Sequence, residues 1–189
     1  MFDPKVQAVI DKVDDLRHRV DDHWQIPRDE AVVLAQLVRL GRCVSICEIG
    51  VSYGFSTLHL AAATREIGGH VHGFELSAKK IAAATEHLTE AGLIDTVTIH
   101  PGDARETLAA VSPARPYDFV FIDATKDQSF DYLESVWPKL APRAVLVTDN
   151  TTTHRDDLAA FVAHLRSLPG VKSCDVPVGN GFELTLKSS

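Results

Sequence analysis

Three oxygen-bearing side chains and one amine stand out by type and spacing. The run Phe119-Val120-Phe121-Ile122 ends at Asp123, and Ala144-Val145-Leu146-Val147-Thr148 ends at Asp149-Asn150. Lys126 follows three residues after the first acid. Both apolar runs are short and rich in β-branched or aromatic residues, as strands of a buried parallel sheet are. Ligands of such sheets bind beyond the carboxyl ends of the strands. Asp123, Asp149 and Asn150 then become three hard oxygen donors on neighbouring strand tips. That set suits Mg²⁺ or Ca²⁺ rather than zinc. Either acid alone could equally cap the helix after it. Two acids with an adjacent Asn and a nearby Lys favour the metal.

A second constellation lies upstream, in Cys47-Glu48-Ile49-Gly50-Val51-Ser52-Tyr53-Gly54-Phe55-Ser56. Gly50 and Gly54 frame a tight turn from strand into helix, where backbone can approach a ligand closely. Position 52 is Ser, so this is not G-x-G-x-x-G, and the close approach a pyrophosphate needs is missing. Glu48 would repel a phosphate and attract an ammonium. A later apolar run ends at Glu75, whose carboxylate can accept hydrogen bonds from both hydroxyls of a ribose. A ligand with a ribose, a cationic amino group and no phosphate is S-adenosylmethionine.

These residues must be positioned by regular elements. Val6, Val9, Ile10, Val13, Leu16 and Val20 have helical spacing over residues 4–22. Pro27 opens a second helix, with Asp29 and Glu30 favourable near its N-terminus and Gly41 at its end. From residue 44 strands alternate with helices. The strands are 44–49, 71–75, 97–100, the run to Asp123 and the run to Asp149. The helices are 55–66, one capped by Ser77 and stopped by Gly92, a short one after Asp103, one over about 127–140, and one around Leu158 to Leu168. Residues 171–176 and 182–186 form an antiparallel pair through Val178-Gly179-Asn180-Gly181. Regular alternation predicts a doubly wound α/β fold. It forms a single domain, with residues 1–41 as N-terminal helices or lid and 42–189 as the α/β core.

Composition narrows the partners. The 189 residues are 45% apolar and carry a net charge of −7 without a basic block, which argues against nucleic acid. No apolar run approaches the roughly 20 residues needed to span a bilayer. The N-terminus has no signal-peptide pattern, so the expected location is cytoplasmic. Cys43, Cys47 and Cys174 lack zinc or redox spacing and are expected to be buried free thiols. His70 and His72 read as a surface strand start, and Trp24 and Trp137 as packing residues.

With these residues in view, the chain resembles the cation-dependent class I O-methyltransferases of the catechol and caffeoyl-CoA type. The likeness runs from about Pro27 to the C-terminus. It is carried by Glu48 to Ser56, by Asp123-Ala124-Thr125-Lys126-Asp127 and by Asp149-Asn150. The resemblance implies a Rossmann-like methyltransferase fold, with a seven-stranded, mostly parallel sheet and an antiparallel strand near the C-terminus. It implies S-adenosyl-L-methionine and Mg²⁺ (or another divalent cation) as cofactors, and a small aromatic acceptor with vicinal hydroxyls. Glu48 would take the methionine amino group, and Gly50, Val51 and Ser56 would line the cofactor turn. Glu75 would hold the ribose, and Ala104 would lie by the adenine. Asp123, Asp149 and Asn150 would be metal ligands, Asp123 also facing the cofactor, and Lys126 would be the general base. Nearby Mg²⁺ would depress the lysine's pKa enough for it to accept a proton.

Three departures stand out. Thr125 replaces an Asp usual in the caffeoyl-CoA type and a Trp usual in the catechol type, Glu30-Ala31-Val32 replaces Glu-Gly-Gln, and the segment before Pro27 is short. The last leaves the lid reduced or supplied by another subunit, so a homodimer is an open expectation. Three alternatives remain: a nicotinamide-dependent oxidoreductase, a cofactor-binding protein on a methyltransferase scaffold, and a methyltransferase with a different small-molecule acceptor. The missing G-x-G-x-x-G argues against the first. The retained Lys126 and metal donors argue against the second.

Overall fold

The apolar runs that end in acids lie side by side in one sheet. The computed structural model describes residues 2–188. In chain order the elements are α1 (Pro4–Leu16), α2 (Arg28–Gly41), β1 (Ser45–Ile49), α3 (Phe55–Arg65), β2 (His70–Glu75), α4 (Ala78–Ala91) and β3 (Val97–Pro101). They continue as α5 (Ala104–Ala110), β4 (Tyr117–Ile122), α6 (Ser129–Val136), β5 (Leu140–Asp149), α7 (Arg155–Ser167), β6 (Val171–Val176) and β7 (Phe182–Lys187). The sheet has seven strands in the order β3-β2-β1-β4-β5-β7-β6. The first five are parallel, and β7 runs antiparallel to both β5 and β6. This is the predicted doubly wound, methyltransferase-like sheet.

Side chains alternate across it with the period of two that a strand imposes. Ile46, Val71, Phe119, Phe121 and Val147 pack with α1, α2 and α3 on one face. Cys47, Ile49, Phe74, Val120, Ile122 and Leu146 pack with α5, α6 and α7 on the other. Register then fixes what stands at the rim. Ile49 pairs with both Phe74 and Ile122, and Ile122 with Thr148. One step further, Gly50, Glu75, Asp123 and Asp149 emerge together at the carboxyl edge.

Several boundaries differ from the sequence reading. The first helix stops at Leu16, not near residue 22, because the amides of Arg17 and His18 turn to the carbonyls of Asp14 and Asp15. The Arg17 guanidinium reaches back to Asp14 and to the Ile26 carbonyl. Val20 still packs on the core, from the turn that follows. The helix expected over 127–140 breaks into a 3₁₀ turn (Lys126–Gln128), α6 and a second 3₁₀ turn (Trp137–Lys139). Pro138 lies in that last turn and has no N–H to continue the ladder. β5 starts four residues early, at Leu140. Arg143 there adopts φ 65° and the register to β4 shifts. Cys43 and Cys47 are buried as expected, but Cys174, on the edge strand β6, is exposed. Among the described residues no helix is long and apolar enough to cross a membrane.

Candidate active site

The rim of strand tips is the floor of a cavity of about 680 Å³. Asp123 and Asp149 face each other there from β4 and β5. Neither carboxylate oxygen of Asp149 has a hydrogen-bond donor among the described residues, although the residue is buried. Burial first, then the Asp149 charge, raises the pKa of Asp123, against the opposing pull of Lys126. Lys126 Nζ stands 3.1 Å from Asp123 Oδ1. Asn150 adopts φ 71°, and its amide nitrogen donates to Thr153 Oγ1 at 3.1 Å, which leaves the amide oxygen open. Two crowded carboxylates with orphaned oxygens and one amide oxygen fit a hard divalent cation. Among the described residues no three His, Cys, Asp or Glu side chains converge as a metal site. The oxygen-bearing side chains that meet at this rim are two acids and an amide.

The other half of the cavity is built by the β1–α3 turn and the end of β2. Gly50 adopts φ 98°, and a Cβ on it would lie 2.0 Å from the Asp123 carbonyl oxygen. Only glycine lets these two strand tips touch. Glu75 is pinned at the opening, where Oε2 accepts the Ser52 N–H at 2.8 Å and Oε1 the Ser77 N–H at 2.9 Å. Each oxygen keeps a second lone pair toward the cavity. Asp103 caps α5 through the Arg105 N–H at 2.9 Å, and this sets Ala104 on the wall.

Of the residues singled out in the sequence, Gly50, Glu75, Ala104, Asp123, Lys126, Asp149 and Asn150 line this one cavity. Glu48, Val51 and Ser56 do not. Strand alternation turns Glu48 to the opposite face from Cys47 and Ile49. There it accepts Ser56 Oγ at 2.5 Å and Thr57 Oγ1 at 2.7 Å, and it is fully buried. Burial pushes its pKa up to about 8, despite those two bonds. Its two hydrogen bonds tie the end of β1 to the first turn of α3. Val51 packs against Gly73.

The structure also brings to the site residues to which the sequence reading gave no part in it. Trp24 is 77% exposed and overhangs the cavity, which corrects its assignment to packing. Its segment is held by Tyr53, whose hydroxyl donates to Asp22 Oδ1 at 2.7 Å and whose ring stacks on His23 at 4.6 Å. An aromatic outside the helical period of residues 4–22 was the available signal. Asn180, at the β6–β7 joint, also lines the cavity. Glu30 stands in the first turn of α2 as expected, and it is fully buried. Its 30/34/38 spacing with Leu34 and Val38 places it on the apolar stripe of α2, a signal present in the sequence.

Comparison with known proteins gives a family and a fold. A family model described as a methyltransferase domain matches residues 47–151. A catechol O-methyltransferase of Mycobacterium tuberculosis is 38% identical over 107 residues, 56% of this chain and 47% of its own. A caffeoyl-CoA O-methyltransferase 2 of Petunia hybrida is 25% identical over 183 residues, 85% of this chain and 75% of its own. The matches span about half the length of the first catechol O-methyltransferase relatives, 47% and 53%. An O-methyltransferase of tomaymycin synthesis from Streptomyces achromogenes, solved in complex with SAM, superposes with a TM-score of 0.86. It is 24% identical, and the superposition covers 100% of this chain and 92% of that one, a likeness of fold.

Proposed function

The chain belongs to the methyltransferase-domain family, and on that premise we propose that it is an S-adenosylmethionine- and divalent-cation-dependent O-methyltransferase acting on a small aromatic with vicinal hydroxyls. One observation carries the reading. Asp149 presents two buried, unpartnered oxygens beside Asp123 and Asn150, in the same cavity as Glu75 and within one residue's reach of Lys126.

When bound, S-adenosylmethionine would supply an activated methyl group, and the cation would supply positive charge that lowers the pKa of vicinal hydroxyls. The chain does the rest. Glu75 accepts the ribose hydroxyls, and Gly50 lets that ligand lie against the strand tips. Asp123, Asp149 and Asn150 hold the cation. Lys126 takes the proton that leaves the acceptor hydroxyl, as a general base within reach of the donor acids. Fixing both reactants in one cavity removes much of the entropic barrier. Trp24 and Asn180 bound the acceptor side, and the segment before residue 42 acts as lid. A cavity of about 680 Å³ has room for a nucleoside-sized cofactor and one small ring system.

The test is a radiolabelled methyl-transfer screen over catechols, flavonoids and hydroxycinnamoyl esters. Label should pass to compounds with vicinal hydroxyls and not to their singly hydroxylated analogues. Equal transfer to both would remove the role given to the paired oxygen donors.

A further inference from the structure

Glu30 takes no part in the chemistry above, yet it is a fully buried acid against the donor set. Its Oε2 accepts the Asn180 backbone N–H at 3.0 Å. Its carboxyl also lies within hydrogen-bonding reach of the Asp149 side chain. Among the described residues no hydrogen-bond donor meets its Oε1 or either oxygen of Asp149. The joint between β6 and β7 is shaped around it, since a Cβ on Gly179 would fall 2.5 Å from Glu30 Oε2. A carboxyl buried for packing alone is hard to account for, because an apolar side chain of similar volume fills such a place without desolvating a polar group.

We infer that Glu30 is a positioning residue for the cation site. One arm of its carboxyl orients Asp149, and the other holds the hairpin joint that carries Asn180 to the cavity. The inference rests on the reading of Asp123, Asp149 and Asn150 as cation donors. It joins three elements distant in sequence, α2, the tip of β5 and the β6–β7 joint, into one support behind the donors. Hydrogen-bond partners of metal ligands set ligand orientation, and their loss typically weakens metal binding about 10–100-fold.

The test uses the full chain with Mn²⁺ alone, reading free Mn²⁺ by electron paramagnetic resonance and checking each variant for cooperative thermal unfolding. Glu30→Met keeps the length of the side chain and removes both polar arms. Glu30→Asp keeps the carboxyl but withdraws it by one methylene. Glu30→Gln keeps an oxygen for Asn180 and a donor for Asp149. The inference predicts that the Met and Asp variants bind Mn²⁺ about 10–100-fold more weakly, and that the Gln variant stays within about threefold of wild type. A cooperatively folded Met or Asp variant with wild-type affinity overturns it, and so does a Gln variant as weak as the Met one. If Glu30→Met does not fold, Glu30→Asp decides. Wild type that binds no Mn²⁺, or Asp149→Ala that binds it as tightly as wild type, overturns the cation reading itself and this inference with it. The protein that fails shows which of the two was wrong.

Discussion

At the scale of single residues, the account gives different jobs to groups a few ångströms apart. Lys126 acts on a proton in flight, so Lys126→Ala should lower kcat about 10²–10⁴-fold and leave acceptor affinity nearly unchanged. The defect should shrink across catechols of rising acidity, because their hydroxyls need less help to ionise. A rate ratio that stays flat across that series would reduce Lys126 to a binding group. Glu75→Ala should weaken S-adenosylmethionine by about 1–3 kcal/mol, the scale of hydrogen bonds to a charged acceptor. Calorimetry showing unchanged affinity would move the ribose elsewhere. Asp123, Asp149, Asn150, Lys126 and Glu75 were legible because each ends, or closely follows, an apolar run. Glu30 and Trp24 carried only indirect signals, in helical spacing and in an aromatic outside it, and Asn180 carried none, because tertiary packing brings all three there. Glu30 and Asn180 meet across 150 positions of chain. Glu48 was visible as an acid in a strand. Its direction follows from the period of two, and Ser56 and Thr57 are the partners awaiting it on α3.

At the scale of elements, the site depends on strand tips that touch. Gly50 adopts φ 98° with its missing Cβ 2.0 Å from the Asp123 carbonyl. Gly50→Ala should therefore destabilise the fold by about 2–5 kcal/mol, from left-handed strain and the clash combined. Denaturant midpoints measure this, and an unchanged midpoint would mean that β1 and β4 do not meet as described. Strand identity and order were legible from alternation, since β-branched runs and glycine stops mark each unit. Ends were less so. α1 ends early through a local Arg17–Asp14 pairing, and α6 is cut by the turn that holds Pro138. The first depends on a side-chain conformation, which helical periodicity does not encode. The second carried its signal in Pro138, against an apolar pattern that ran on past it.

At the scale of the whole molecule, buried acids tie stability to pH and to the cation. The Glu48 pKa is pushed up to about 8 by burial, from an ordinary 4.5. The fold thus keeps a proton that the unfolded chain releases. That stabilisation is complete below about pH 4.5 and is lost as pH rises through about 8. Asp123, raised by burial and by Asp149, acts in the same direction. His23, His59 and His72 act oppositely. Burial lowers them to about 4 from 6.5, so their contribution grows with pH and is complete above about 6.5. Between about pH 6.5 and 8 the acids decide the sign, and the thermal midpoint of cation-free protein should fall. Mg²⁺ should raise that midpoint more at pH 8 than at pH 6, because protons compete for its ligands. A midpoint that climbs steadily to pH 8 without cation would contradict this. The central claim is that the oxygen cluster on β4 and β5 holds the cation that makes methyl transfer possible. The most direct measurement is transfer of labelled methyl from S-adenosylmethionine to a catechol by one wild-type preparation, assayed in EDTA and again after excess Mg²⁺. The account predicts no turnover in EDTA and full recovery with Mg²⁺, and undiminished turnover in EDTA would contradict it.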